Sequence, residues 1–211
     1  GGPSTLFIRA AADSLLAAYR PGWAQMVADR ARGVGDFFFA VYETPTVIMY
    51  NTDAVQASEA PSDWDEVLAP RWRKKVLIRE PFGSGTMRTI FGLLIQRAMK
   101  SPNDTGPGFQ WLRRLDAQTK EYVLNPALLD QKMVRQEGVI SLWDLPDILQ
   151  EQRKGSPLGF AFPASGTAVI EDCIAIIRGA KHVAAAKRWV EWVGSVEGQL
   201  LTARDMMRLP A

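Results

Sequence analysis

KVLIREPFGSGTMRTIFGLLI, residues Lys75 to Ile95, is the stretch from which the rest of the chain can be read. Val76-Leu77-Ile78 is a short apolar run that predicts a buried strand. The run stops at Glu80-Pro81, and a turn of small residues follows at Gly83, Ser84 and Gly85. Met87, Ile90, Phe91, Leu94 and Ile95 then recur at helical spacing. Strand, glycine-rich turn and helix start, in that order, leave the first helical amides unpaired at the positive end of the macrodipole, where a carboxylate or phosphate is favoured. The hydroxyls of Ser84 and Thr86 add donors at the same place. Ser84 is also an ordinary helix cap, and the local sequence leaves both roles open.

Outward from this turn, strands and helices alternate. A helix is predicted from Ser4 to Ala18. An extended segment follows from Phe37 to Met49, with a bend at Pro45. Asp63 precedes a short helix that ends near Pro70, and Phe109 to Leu115 is amphipathic. Pro126 to Gln136 has proline at its start and Gly138 beyond its end. Val139 to Trp143, Leu158 to Phe162 and Val169 to Ile177 read as strands, and Val183 to Gly194 and Val196 to Asp205 as helices. This alternation predicts an α/β protein with a largely parallel sheet or sheets.

Composition narrows the function classes. Of 211 residues, 47% are hydrophobic and 23% charged, as in an ordinary globular protein. A net charge of +2 with both signs scattered predicts no nucleic-acid surface. Cys173 is the only cysteine and lies in an apolar run, so it predicts a buried thiol. His182 is the only histidine, which excludes a multi-histidine metal site. No metal or cofactor is expected. No apolar run approaches the roughly 20 residues of a membrane span.

Open α/β sheets bind ligands at the carboxyl ends of their strands. Loops with small polar groups stand at the predicted ends: Ser4-Thr5, Tyr42-Glu43-Thr44, Ser84-Gly85-Thr86, Trp143-Asp144 and Ser165-Gly166-Thr167. Asp144 can pair with a hydroxyl or amine of a ligand, or cap the helix that begins at Pro146. Trp143 can stack on a ligand or fill the core. Catalytic signatures are thin. There is no G-x-S-x-G elbow or Walker A lysine, and Arg88 stands where a dinucleotide motif needs its third glycine.

The chain resembles the periplasmic solute-binding proteins of ABC transporters, in particular the family-1 extracellular solute-binding proteins that include ferric-iron binders. The matching pieces are VYETPTVIMYN (Val41 to Asn51), PSDWDEVLAPRWRKKVLI (Pro61 to Ile78), FGSGTMRTIFGLL (Phe82 to Leu94), the helix pair within Phe162 to Gln199, and the terminal RLPA. The resemblance implies a type 2 two-lobe α/β architecture. Residues 46–166 would form one lobe, 1–40 and 174–211 would belong to the other, and 41–45 and 167–173 would be the hinge crossings. Family members extend beyond this chain at both ends, so a truncated chain with one incomplete lobe is expected.

Such proteins capture a small solute in an interlobe cleft by hinge closure and deliver it to a membrane permease, without catalysis. The resemblance therefore implies a periplasmic or membrane-anchored monomer, with ligand contacts at Ser84, Gly85, Thr86, Trp143, Asp144, Tyr42, Glu43, Ser4 and Thr5. Ferric binders carry adjacent tyrosines where this chain has Leu142-Trp143-Asp144-Leu145, and no tyrosine lies between Tyr122 and Ala211. An anionic or phosphorylated organic solute is expected instead of iron. The alternatives are an enzyme on a related scaffold, with Glu43, Asp144 or Glu171 as general base, and the ligand-sensing domain of a transcription regulator.

Overall fold

The computed structural model describes residues 2–211. In chain order the elements are β1 (Gly2–Pro3), α1 (Ser4–Ala12), β2 (Leu16–Ala17), β3 (Phe39–Asn51), β4 (Val76–Arg79), α2 (Gly85–Ala98), α3 (Gly106–Gln118), β5 (Thr119–Val123), α4 (Pro126–Val134), β6 (Ile140–Asp144), α5 (Leu145–Arg153), β7 (Leu158–Ala161), β8 (Val169–Ile174), β9 (Ile176–Ile177), α6 (Val183–Val193), α7 (Val196–Met206) and β10 (Leu209–Pro210). The chain divides into two compact units, Pro45–Ala168 on one side and Gly1–Thr44 with Val169–Ala211 on the other. Each has its own apolar core.

In the unit Pro45–Ala168, β4 lies between β5 and β6 and runs parallel to both, while β6 and β7 pair antiparallel with β3. The sheet is therefore mixed, not largely parallel, and the parallel part is the β5-β4-β6 triplet. Val76, Leu77 and Ile78 are each 0% exposed, which is why β4 reads as a continuous apolar run rather than an alternating one. Full burial of each such side chain stabilises the fold by about 1.5–3 kcal/mol.

Helix α2 starts where Ser84 Oγ accepts the Met87 amide at 3.2 Å, and it buries Met87, Ile90 and Leu94. It packs on α3 at a point of close approach. A Cβ on Gly108 would stand 2.5 Å from Ile95 Cα and 2.8 Å from its carbonyl oxygen, so only glycine fits there. Asn125 caps α4 by accepting the Leu128 amide at 2.8 Å, with Pro126 in the first turn.

In the other unit all the registered strand pairs are antiparallel: β1 with β8, β2 with β9, and β10 with the Tyr42–Glu43 stretch of β3. Several elements differ from the sequence reading. The first helix ends at Ala12, because Ser14 takes a left-handed φ of 57° and Leu16–Ala17 peels off to pair with β9. The segment through Pro45 is one strand of 13 residues. The β10 ladder stops at Glu43 and the β6 ladder begins at Thr46, so the missing N–H of Pro45 removes no bond from either. Helix α3 starts three residues earlier than Phe109, with its glycines and Pro107 inside the first turn.

Candidate functional site

The parallel pairing of β4 and β6 sets the geometry of the candidate site. Neighbouring parallel strands end on the same side, so the helices that follow them, α2 and α5, start side by side. After β4 the chain turns through Glu80, whose carboxylate accepts the amides of Phe82 (2.9 Å) and Gly83 (2.7 Å). These bonds, the Phe82 one first, hold the Glu80 carboxyl below its ordinary value. Ser84 then caps α2, and the Arg88 amide donates to the Ser84 carbonyl at 3.2 Å. The amides of Gly85 and Thr86 head the helix and have no intrahelical acceptor.

Asp144, the last residue of β6, is 5% exposed and caps α5 by accepting the Asp147 amide at 3.4 Å. Its second carboxylate oxygen accepts the Thr86 hydroxyl at 3.5 Å. The two helix starts are thus linked by their own capping residues. Trp143 is 3% exposed, belongs to the core, and donates its indole N–H to Asp147 at 3.2 Å. It backs the site and presents no open ring face.

One residue of this site escaped the sequence reading. Arg79, at the end of β4, is 8% exposed. Its Nη1 donates to the carbonyls of Val123 (3.1 Å) and Glu80 (3.4 Å). Both terminal nitrogens lie within 3.7 Å of where a Cβ on Gly83 would be, so a full positive charge sits directly behind the turn. The only sequence signal was an arginine closing an otherwise apolar strand.

The remaining expected ligand contacts lie in the other unit. Ser4 and Thr5 occupy the first turn of α1, which has no side-chain cap. Ser4 lines a cavity of about 420 Å³ with Arg30 and Glu171. Glu43 pairs with Arg30 at 2.8 Å, and Glu171 approaches the same guanidinium at 3.5 Å. Tyr42 lies 5.4 Å from the Arg208 guanidinium, which stands over its ring. Burial, then Asp172, raises the Tyr42 phenol, and Arg208 partly offsets them. The structure thus brings Ser84, Gly85, Thr86, Trp143 and Asp144 together on one unit, and places Ser4, Thr5, Tyr42 and Glu43 on the other.

Cys173 is 1% exposed, and burial followed by Glu171 and Asp172 pushes its thiol up to about 12. Such a thiol is not a nucleophile. Among the described residues no three His, Cys, Asp or Glu side chains cluster to hold a metal. No helix of the described residues is long and apolar enough to cross a membrane.

Residues 8–211 match the family model described as "Bacterial extracellular solute-binding protein". The chain belongs to that family. A probable ABC transporter periplasmic-binding protein of Sinorhizobium fredii is 22% identical over 202 residues, covering 94% of this chain and 55% of its own length. An uncharacterized protein of Haemophilus influenzae is 29% identical over 143 residues, covering 68% of this chain and 40% of its own length. The chain thus spans about half the length of the curated relatives it matches.

Among solved structures, the periplasmic binding protein P5PA superposes with a TM-score of 0.88 at 25% identity, over 100% of this chain and 68% of its own. The periplasmic binding protein AfuA from Actinobacillus pleuropneumoniae, with exogenous fructose-6-phosphate bound, gives 0.88 at 21%, over 100% of this chain and 67% of its own. A ferric binding protein from Campylobacter jejuni gives 0.82 at 16%, over 99% and 68%. These likenesses fix the fold of this chain as that of the periplasmic binding proteins.

Proposed function

We propose that this protein is the solute-binding component of an ABC importer. It works in the periplasm, hands its solute to a membrane permease and performs no chemistry on it. The solute is a small organic anion, phosphorylated and hydroxylated, held at the paired starts of α2 and α5. The observation that carries this reading is the Thr86–Asp144 contact, which sets an anion-attracting helix end beside a buried carboxylate.

The two ends ask for different groups. At α2, free amides, the macrodipole, the Ser84 hydroxyl hydrogen and the Arg79 charge all favour phosphate oxygens. At α5, the Asp144 carboxylate accepts hydrogen bonds only and repels a second negative group. A phosphate with hydroxyls a few bonds away satisfies both, whereas a dicarboxylate or bare phosphate satisfies one. The sugar phosphate bound by AfuA has this combination. Ser4, Thr5, Tyr42 and Glu43 enter the proposal as further solute contacts from the other unit.

Titration calorimetry with fructose 6-phosphate, related sugar phosphates and the parent sugars tests the proposal. Saturable binding of a phosphorylated sugar, loss of affinity in Thr86→Val, and an unchanged ligand spectrum after prolonged incubation are expected. Binding of the parent sugars as tightly as of their phosphates, or conversion of the ligand, overturns it.

A further inference from the structure

Arg79 is a buried cation without a counter-ion. It is 8% exposed and makes no ion pair with a carboxylate among the described residues. Glu80, next in the chain, engages its carboxylate with the amides of Phe82 and Gly83. Arg88 brings a second positive charge to the same turn, donating Nη1 to the Phe82 carbonyl at 2.6 Å. We propose that Arg79 is a direct solute ligand, reached over Gly83, and that it makes the site favour a doubly charged phosphate monoester over singly charged anions. The proposal rests on the reading that a phosphate binds at the start of α2.

A guanidinium carries five N–H donors. In Arg79, Nη1 donates to the carbonyls of Val123 and Glu80, and Nε is buried with no acceptor. Nη2 also bonds no acceptor among the described residues, and unlike Nε it keeps accessible surface. Burying a full charge is costly unless hydrogen bonds and an opposite charge compensate it. The two carbonyls satisfy one nitrogen and bring no charge. A phosphate supplies what is missing, because its oxygens accept short charge-assisted bonds from a guanidinium.

Gly83 is the opening. A Cβ there would stand 3.5 Å from Nη2, 3.7 Å from Nη1 and 3.2 Å from Glu80 Oε2. The backbone does not demand glycine at this position, since its φ lies outside the left-handed region. What the missing side chain does is leave the guanidinium uncovered one residue before the Ser84 cap. Selectivity then follows from charge. A phosphate monoester carries close to two negative charges at neutral pH, and a sulfate monoester of the same tetrahedral shape carries one. Whatever Arg79 contributes to binding is larger for the first.

Calorimetry with fructose 6-phosphate and fructose 6-sulfate at constant ionic strength tests the proposal. The parent protein is expected to bind the phosphate more tightly. Arg79→Met is expected to lose about thirtyfold for the phosphate, the worth of a hydrogen bond to a charged group, and about fivefold or less for the sulfate. The ratio of the two affinities therefore falls, whereas a disturbance of packing alone weakens both esters equally and leaves the ratio in place. Should Arg79→Met not fold, Gly83→Ala keeps the guanidinium and sets a methyl against it, and the same fall in the ratio is expected. If the parent binds and the variants keep its ratio, the role of Arg79 is overturned and the α2 reading stands. A parent that binds neither ester overturns both.

Discussion

Replacing Ser84 by aspartate separates a helix cap from a ligand site. Ser84 is 7% exposed and its Oγ accepts the Met87 amide at 3.2 Å. Aspartate caps helices as well as serine does, and a carboxylate at a helix start gains about 0.3–1 kcal/mol from the macrodipole. Arg79 lies behind the same turn and partners the new charge. Ser84→Asp is therefore expected to change the unfolding free energy by less than about 1 kcal/mol, while Ser84→Ala loses about 1 kcal/mol with the cap. Binding responds in the opposite order. A carboxylate about 5 Å from a bound phosphate, at an effective dielectric near 20, repels it by about 3 kcal/mol, or roughly a hundredfold in affinity. Ser84→Ala keeps the backbone amides and loses about tenfold or less, the worth of one hydrogen bond to a charged group. Calorimetry with fructose 6-phosphate, beside urea denaturation of the same preparations, measures both quantities. If Ser84→Asp binds within fivefold of the parent protein, no anion sits at the α2 end and Ser84 is a cap alone.

Asp144→Asn keeps the shape of the α5 cap and removes the charge that faces the anion. It is expected to strengthen binding of inorganic phosphate while weakening that of sugar phosphates, and calorimetry with both ligands checks the crossing. Asp130 on α4 is pushed up to about 7 by burial, then by Asp147 and Glu151, with Lys154 partly offsetting them. The unfolded carboxyl titrates near about 4, so between about pH 4 and 7 the folded state binds the extra proton and stability falls as pH rises. Asp130→Asn should therefore raise the melting temperature most at about pH 8, less at about pH 5, and leave it nearly unchanged at about pH 3.5. Gly108→Ala drives a methyl into the Ile95 backbone, which cannot rotate away, and should cost about 1–3 kcal/mol in urea denaturation.

Much of this fold can be read from local signals. The β4 strand, its turn and α2 are legible because burial on both faces of a central strand leaves an unbroken apolar run, and because the cap and the helical stripe follow at once. Asn125-Pro126 and Asp144-Leu145-Pro146 announce α4 and α5 by the same chemistry. What is not legible depends on partners distant in sequence. The antiparallel pairing of β3 with β6 and β7, against the parallel β5-β4-β6 triplet, leaves no mark on any single strand. Nor does the passage of one strand through Pro45, which depends on where two separate ladders stop. Arg79 is hidden for a related reason. An arginine at a strand end reads as a solvated charge, and its burial follows from the Val123 and Glu80 carbonyls that accept from it.

The same geometry removes the choice that the sequence posed at Ser84. A hydroxyl carries one hydrogen to donate and two lone pairs to accept with. In capping α2, Ser84 uses a lone pair, and its hydrogen bonds no acceptor among the described residues. Cap and ligand donor are therefore compatible roles of one oxygen, and finding the cap subtracts nothing from the case for a solute. Asp144 differs because a carboxylate has lone pairs alone. One oxygen faces the Asp147 amide and the other the Thr86 hydroxyl, so the group it adds to the site is a further acceptor. A solute that meets both residues must then bring an oxygen without a hydrogen to Ser84, and a hydrogen to Asp144. Phosphate ester and hydroxyl on one carbon frame meet that requirement, and exchanging the two polarities, with Ser84→Asp on one side and Asp144→Asn on the other, should invert it.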